Sequence, residues 1–237
     1  MVQGACQLAA SETPRAEVPS LLAPPWHTRA LVGLMLAVAG AAVGLGAGAS
    51  PSDVASPVAA YLPLAIVNVG LLLYTCRVGL ERSILGRVFS QGPYDWRRVR
   101  VDLACAVGVA LALIVAESAL QSLLGLPEST AAHALLPRTL AEKLAWLLVA
   151  VIVGVSEEVV YRGYLQRQLA ALSGWLPFGV LAQALLFGIA HGEQGGWAVA
   201  RFAVYALGLG WLAAARKSLL PCALGHVVVD LLAGWVG

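Results

Sequence analysis

Seven stretches of the chain are apolar for close to the depth of a bilayer, which limits the fold before any single residue is considered. Crossing the hydrocarbon core as a helix takes about 20 predominantly apolar residues. Only helices and closed barrels satisfy their own backbone in lipid. The stretches run from Ala30 to about Ala49, Val58 to Cys76, Val101 to about Leu124, onward from near Glu142, Leu176 to His191, Trp197 to Ala215, and Leu219 to Val236. They predict an all-α fold, a polytopic transmembrane helix bundle of about seven spans. The range is six to eight, because the fifth and seventh stretches are short and the first is weak in large side chains. Composition agrees: with 59% hydrophobic and 12% charged residues there are too few charges to coat a soluble domain of this size.

Residues 30–237 are expected to form one integral membrane domain, since the loops are short and no internal repeat or low-complexity linker breaks them. Residues 1–29 read as a polar, flexible cytoplasmic tail carrying Pro14, Pro19, Pro24 and Pro25 with Arg15 and Arg29. A secretory signal would bring its charged region and apolar core nearer the start. Ala47-Gly48-Ala49 imitates a cleavage site, but an anchor is the preferred reading of the first segment. Cys6, Cys76, Cys105 and Cys222 show no C-x-x-C spacing and predict neither a disulfide framework nor a thiolate metal site. The net charge of +2 is uninformative, and nucleic acid is not an expected partner.

Basic residues in short loops set orientation. Arg77, Arg82, Arg87, Arg97, Arg98 and Arg100 between the second and third stretches mark a cytoplasmic connection. Arg15, Arg29, the Arg162–Arg167 region and Arg216-Lys217 fall on the same side of a seven-span arrangement. The loops with Asp53 and with Glu128 and Arg138 fall outside. The N-terminus is therefore expected in the cytoplasm, and the high Ala, Gly, Leu and Arg usage points to a bacterial cytoplasmic (inner) membrane. Trp96, Trp146, Trp175, Trp197, Trp211 and Trp235 mostly sit near span ends, where indole rings favour the interface. Gly40, Gly44, Gly48, Gly179, Gly208 and Gly210 allow helices to approach closely.

Within the fourth stretch stands Ser156-Glu157-Glu158-Val159-Val160-Tyr161-Arg162. An ionised carboxylate at membrane depth is expensive, and such groups survive facing a protein interior or a watery cavity, usually at functional sites. Glu158 and Arg162 are four apart and share a helix face, so Arg162 is expected to hold Glu158. Glu157 lies about 100° round the helix and is the freer carboxylate, available to substrate or water. The competing reading is a helix end emerging into water, with Glu157, Glu158, Arg162 and Arg167 all solvated.

Two histidine segments weigh against that. The fifth stretch ends Phe187-Gly188-Ile189-Ala190-His191, and the seventh holds His226-Val227-Val228-Val229-Asp230. A lone intramembrane histidine is often a hydrogen-bonded core residue. Here a second is present, with Asp230 one turn further along the same face. A turn at Ser173-Gly174 predicts an antiparallel hairpin. Glu157 and His191 are equidistant from Gly174 in sequence, each about 25 Å from the turn at 1.5 Å per residue. His226 is much nearer its own turn at Ser218, so the fourth helix, with Gln166, Arg167 and Gln168, is expected to continue past the membrane surface.

Converging Glu, His, His and Asp can do two kinds of work. Glu157, His191, His226 and Asp230 could hold a divalent metal such as zinc and polarise a water. Without a metal, Glu157 and His191 could activate water as a general base pair while His226 and Asp230 stabilise the developing oxyanion. Both chemistries suit hydrolysis of a peptide bond in or near the membrane.

The three segments together resemble the CAAX-protease and bacteriocin-processing family of intramembrane endopeptidases, whose pattern is E-E-x-x-x-R, then F-x-x-x-H, then H-x-x-x-N or D on successive helices. Here these read Glu157-Glu158 to Arg162, Phe187 to His191, and His226 to Asp230. The resemblance covers about residues 140–236 and leaves the first three spans outside it. It implies that Glu157 acts on water with His191, that Glu158 and Arg162 shape the helix, and that His226 and Asp230 complete the site. Asp230 departs from the Asn usual in prenyl-protein members. An ionised Asp cannot donate a hydrogen bond to an oxyanion, so that role is open at this position.

The implied substrate is a membrane-anchored protein or peptide: a prenylated tail, a peptide precursor such as a bacteriocin, or a C-terminal sorting helix. Sorting-signal or precursor processing is preferred for a bacterial membrane. Two other classes compete. A transporter or proton relay would use Glu117, Glu157, Glu158 and the histidines along a path, but predicts dispersed polar residues and inverted repeats. An immunity or scaffold protein would leave the reactive residues idle.

Overall fold

The computed structural model describes residues 20–46, 57–79, 95–125 and 130–236. Residues 1–19, with most of the expected tail, and the loop positions Asp53, Arg82, Arg87 and Glu128 lie outside the described residues. So do the end of the first stretch and Cys6.

Among the described residues the chain forms eight helices and no strand. They are α1 (Pro25–Gly46), α2 (Val58–Val78), α3 (Trp96–Leu124), the short α4 (Thr130–Leu135), α5 (Leu140–Ser173), α6 (Leu176–Ala190), α7 (Gly196–Arg216) and α8 (Leu220–Val236). Five of these are long and apolar enough to cross a membrane, and α6 and α8 are shorter apolar helices. The apolar surface is turned outward: Leu62, Ile66, Leu73, Leu111, Val115, Leu148 and Val204 are all exposed. A soluble chain could not carry such a belt, so the molecule is an integral membrane protein.

Local chemistry sets the helix ends. Asp95 caps α3 by accepting the Arg98 N–H at 2.7 Å, and left-handed Gly125 closes it. Thr139 and Glu142 form a capping box that starts α5. Gly174, at φ 70°, supplies the left-handed turn into α6, with the Trp175 N–H bonded to the Ala170 carbonyl. The hairpin expected at Ser173-Gly174 is therefore present.

The first helix starts at Pro25, earlier than the apolar pattern suggests, and residues 20–29 are not a free tail. Gln168 accepts the Leu22 N–H at 2.8 Å and donates to the Ala23 carbonyl at 2.6 Å. The start of α1 is thereby tied to the end of α5. Gln166 likewise donates to the Gly210 carbonyl at 3.0 Å. α5 does continue well beyond one bilayer thickness: its 34 residues span about 51 Å. Its last turns are not bathed in water, however. Gln166 and Gln168 are buried because α1, α6 and α7 pack over them.

Helix α5 is the axis of the bundle, and α8 lies tightly along it. Gly154 makes this approach possible: a Cβ there would stand 2.7 Å from Val227 Cγ2 and 3.2 Å from the Val227 nitrogen. Farther along, Trp146 donates its indole N–H to the Asp230 carbonyl at 2.8 Å. Trp146 is thus a bridge between helices rather than an interfacial anchor. Trp96, Trp175 and Trp235 stand exposed at helix ends, as amphipathic rings at a bilayer surface would. Glu117, an intramembrane carboxylate of α3, is ion-paired to Arg201 of α7. Asp102 of α3 is held by Arg216 at the end of α7, at 2.7 Å. Cys76, Cys105 and Cys222 are free.

Candidate active site

α5 changes geometry where its charges begin. After Glu157 the helix widens into a π-helical stretch, Glu158–Leu165, before returning to α geometry. A uniform α-helix is what the sequence suggests; such wide turns collect at functional sites. Every residue of this stretch is buried, with Glu158 fully enclosed and Arg162 1% exposed. The solvated helix-end reading fails on that burial.

Arg162 Nη1 donates to Glu158 Oε1 at 2.9 Å, as the four-residue spacing predicts. The Arg162 guanidinium also lies 4.7 Å from the centre of the Phe187 ring, a cation–π contact that seals its face. The same Glu158 oxygen meets His226 Nδ1 at 2.9 Å. A carboxylate only accepts, so Nδ1 carries the proton in this bond. An Arg162–Glu158–His226 chain thereby fixes both the rotation of the imidazole and its tautomer.

With Nδ1 engaged, His226 presents Nε2 to two further carboxylates. Glu157 Oε2 and Asp230 Oδ2 each lie 3.7 Å from it. That is beyond direct hydrogen-bond range and of the size that one intervening water would bridge. Glu157 Oε2 is buried and has no hydrogen-bond partner among the described residues.

His191 follows the last residue of α6. Its Nδ1 is bonded to the Phe187 carbonyl at 2.8 Å, and its ring stacks on Phe202 with centroids 4.0 Å apart. Phe187 lies between the two histidines, 4.6 Å from the ring of His191 and 6.1 Å from that of His226. No hydrogen bond joins Glu157 to His191; the contact between helices that the structure gives Glu157 is with His226. The six residues singled out from sequence thus divide into a hydrogen-bonded three (Arg162, Glu158 and His226), two carboxylates 3.7 Å from His226 Nε2 (Glu157 and Asp230), and His191, which reaches them across Phe187.

Among the described residues no three His, Cys, Asp or Glu side chains are arranged to hold one metal ion. Nδ1 of His226 is turned to Glu158 and Nδ1 of His191 to a backbone carbonyl, and the two rings are separated by Phe187. The side chains as they stand do not fit a preformed zinc site.

Sequence reasoning missed one polar neighbour. Tyr205 of α7 stands edge-on to the His226 ring, with centroids 5.7 Å apart and planes at 70°. A single tyrosine in an apolar helix gives no motif that would have flagged it.

Residues 139–232 match a family model described as type II CAAX prenyl endopeptidase Rce1-like. No curated protein and no solved structure matches the chain. The matched span begins at the cap of α5 and takes in α6, α7 and most of α8, and so contains all six residues of the expected motif. Helices α1 to α4 fall outside it. Over residues 139–232 the chain is thus similar to the Rce1-like, type II CAAX prenyl endopeptidases.

Proposed function

We propose that this protein is an intramembrane endopeptidase that hydrolyses a peptide bond of a membrane-anchored protein or peptide through a water activated by Glu157 and His226. The observation that carries this reading is the buried Arg162–Glu158–His226 chain, which leaves His226 Nε2 facing Glu157 and Asp230 at equal distance. Arg162 pairs with Glu158, and Glu158 orients the imidazole. The arrangement follows the logic of an oriented base in other hydrolases.

In the proposed reaction a water lies between Glu157 Oε2 and His226 Nε2. As its oxygen bonds to the scissile carbonyl carbon, its proton passes to the Glu157 carboxylate. The π electron pair of the carbonyl moves to its oxygen. When the tetrahedral intermediate collapses, the C–N bond breaks and Glu157 returns the proton to the leaving nitrogen. His226 stabilises and orients the attacking water, and His191 closes the far side of the site, stacked against Phe187 and Phe202.

The catalytic core is taken as about residues 140–236, with α1 to α3 as a membrane scaffold for it. Processing of a sorting signal or peptide precursor at a bacterial inner membrane is the preferred role, ahead of processing of a prenylated tail. A cytoplasmic N-terminus is supported by the gathering of basic helix ends. Arg98 and Asp102 at the start of α3 contact Arg216 at the end of α7, and the start of α1 is bonded to the end of α5.

The test is comparative proteomics of membrane-protein termini in cells carrying the wild type, Glu157→Gln or His191→Ala. Protein termini that appear with the wild type and vanish in both variants support the reading and name the substrate. If folded, abundant variants leave the termini unchanged, the hydrolytic reading is wrong.

A further inference from the structure

Resting on that hydrolytic reading, the geometry points to Tyr205 as a further catalytic residue, its phenol hydroxyl donating a hydrogen bond to the scissile carbonyl oxygen as it becomes an oxyanion. Peptide hydrolysis needs a hydrogen-bond donor where negative charge develops on the former carbonyl oxygen. Asp230 holds the position that would be expected to serve, and a carboxylate offers only acceptors. Glu157 and Glu158 are acceptors too. The Nδ1 proton of His226 is committed to Glu158. Arg162 has Nη1 on Glu158 and its face sealed against Phe187. Its Nε and Nη2 have no hydrogen-bond partner among the described residues, but they are fully enclosed behind that carboxylate.

Tyr205 remains. Its ring packs edge-on against His226, on the imidazole that also faces Glu157 and Asp230. Its hydroxyl is buried and has no hydrogen-bond partner among the described residues. Buried hydroxyls almost always have partners, and an exception at a polar cluster asks for a reason. The charges that bear on this hydroxyl are those of the site itself: Asp230 most strongly, then Glu158, Arg162 and Glu157. Glu157 Oε2 is likewise buried with no hydrogen-bond partner among the described residues. The acceptor that takes the proton of the water and the donor that holds the oxyanion are therefore both unengaged beside the same imidazole.

The balance of the step is unchanged from the hydrolysis above. The carbonyl π pair moves onto oxygen, Tyr205 O–H donates to it without transferring its proton, and the hydrogen bond is released when the C–N bond breaks. Because the hydroxyl has no hydrogen-bond partner among the described residues, Tyr205→Phe removes it without opening a hydrogen bond there. The variant is expected to fold as the wild type does.

The experiment runs in two stages on the full chain. Terminus-selective proteomics with the wild type and Glu157→Gln first identifies a peptide bond whose cleavage requires Glu157. A synthetic peptide of that sequence is then used with detergent-solubilised wild type and Tyr205→Phe. The expected result is a kcat lower by about 10²–10³-fold, the range seen when one oxyanion donor is removed. KM should stay within about threefold, since the ground-state carbonyl gains little from this bond. Thermal unfolding of the variant should match the wild type. A kcat for Tyr205→Phe within about threefold of the wild type overturns the role of Tyr205 and leaves the protease reading standing. If no wild-type-dependent terminus is found, the hydrolytic reading falls and takes this assignment with it.

Discussion

Replacing the buried Glu158–Arg162 pair one residue at a time, and then together, separates the stability of this protein from its chemistry. The two side chains are fully enclosed and 2.9 Å apart. Glu158→Leu would leave the Arg162 guanidinium buried without its hydrogen-bonded carboxylate, and Arg162→Met would leave Glu158 with His226 as its one hydrogen-bond partner among the described residues. Removing one member of a buried pair typically destabilises by about 3–5 kcal/mol, because the abandoned charge stays desolvated. For a chain of this length that corresponds to a fall in midpoint on the order of 10 °C. The double variant Glu158→Leu/Arg162→Met removes both charges and keeps similar volume. Such replacements are often neutral or stabilising, so most of the lost stability should return.

Activity should behave differently. In the double variant His226 still sits on α8 against Gly154, but nothing fixes its tautomer or ring rotation. Cleavage should therefore stay near the level of the Glu158→Leu single variant although the fold has recovered. Thermal unfolding in one detergent and turnover of one substrate, measured on all four proteins, make the comparison. A single variant as stable as the wild type would mean that the two residues are not a buried charge pair in the working protein. Full turnover in the double variant would mean that His226 needs no orienting carboxylate.

Other perturbations probe the packing that sets the site. Gly154→Ala brings a Cβ within 2.7 Å of Val227 Cγ2, so α8 must back away; destabilisation of about 1–3 kcal/mol with a larger proportional loss of cleavage is expected, read by the same unfolding and turnover assays. Gln168→Ala removes the bonds between α5 and the start of α1. At about 1 kcal/mol each, their loss should appear as faster proteolysis at residues 20–24 with little change in kcat. Trp146→Phe deletes the donor to the Asp230 carbonyl and should lower stability by about 1 kcal/mol, with α8 cross-linking to α5 less efficiently through engineered cysteines. Lys217→Cys, at the left-handed turn after α7, should react with an impermeant maleimide only in inside-out vesicles if the N-terminus is cytoplasmic.

Much of this was legible from the residues because bilayer energetics leave few choices. Apolar length alone gives the helices, and Gly174 gives the hairpin because a left-handed residue is needed there. Glu158 and Arg162 announce each other by spacing. The start of α1 and the fate of Gln166 and Gln168 were not legible, because a buried glutamine and a solvated one look alike until the helices covering them are known. Glu117 is similar: within its own helix it suggests a relay, and only Arg201, eighty-four residues away, shows it to be a paired charge.

The register of His226 was the hardest point from sequence, and it shows why the site lies where it does. Counting from its own turn, His226 is only a short way into α8, whereas Glu158 is deep in α5 when counted from Gly174. The contact at 2.9 Å exists because α5 is longer than the bilayer requires and α8 is shorter. The extra turns of α5 are covered by α1, α6 and α7, so they remain protein interior. The widened π stretch lies in the same segment and enlarges the turn that carries Glu158 and Arg162. Neither device is encoded by a motif. Both arise from how the whole bundle packs, and a fragment retaining the three motifs without α1 would expose the end of α5 that it covers. Such a fragment should lose the His226 register before it loses any residue of the site.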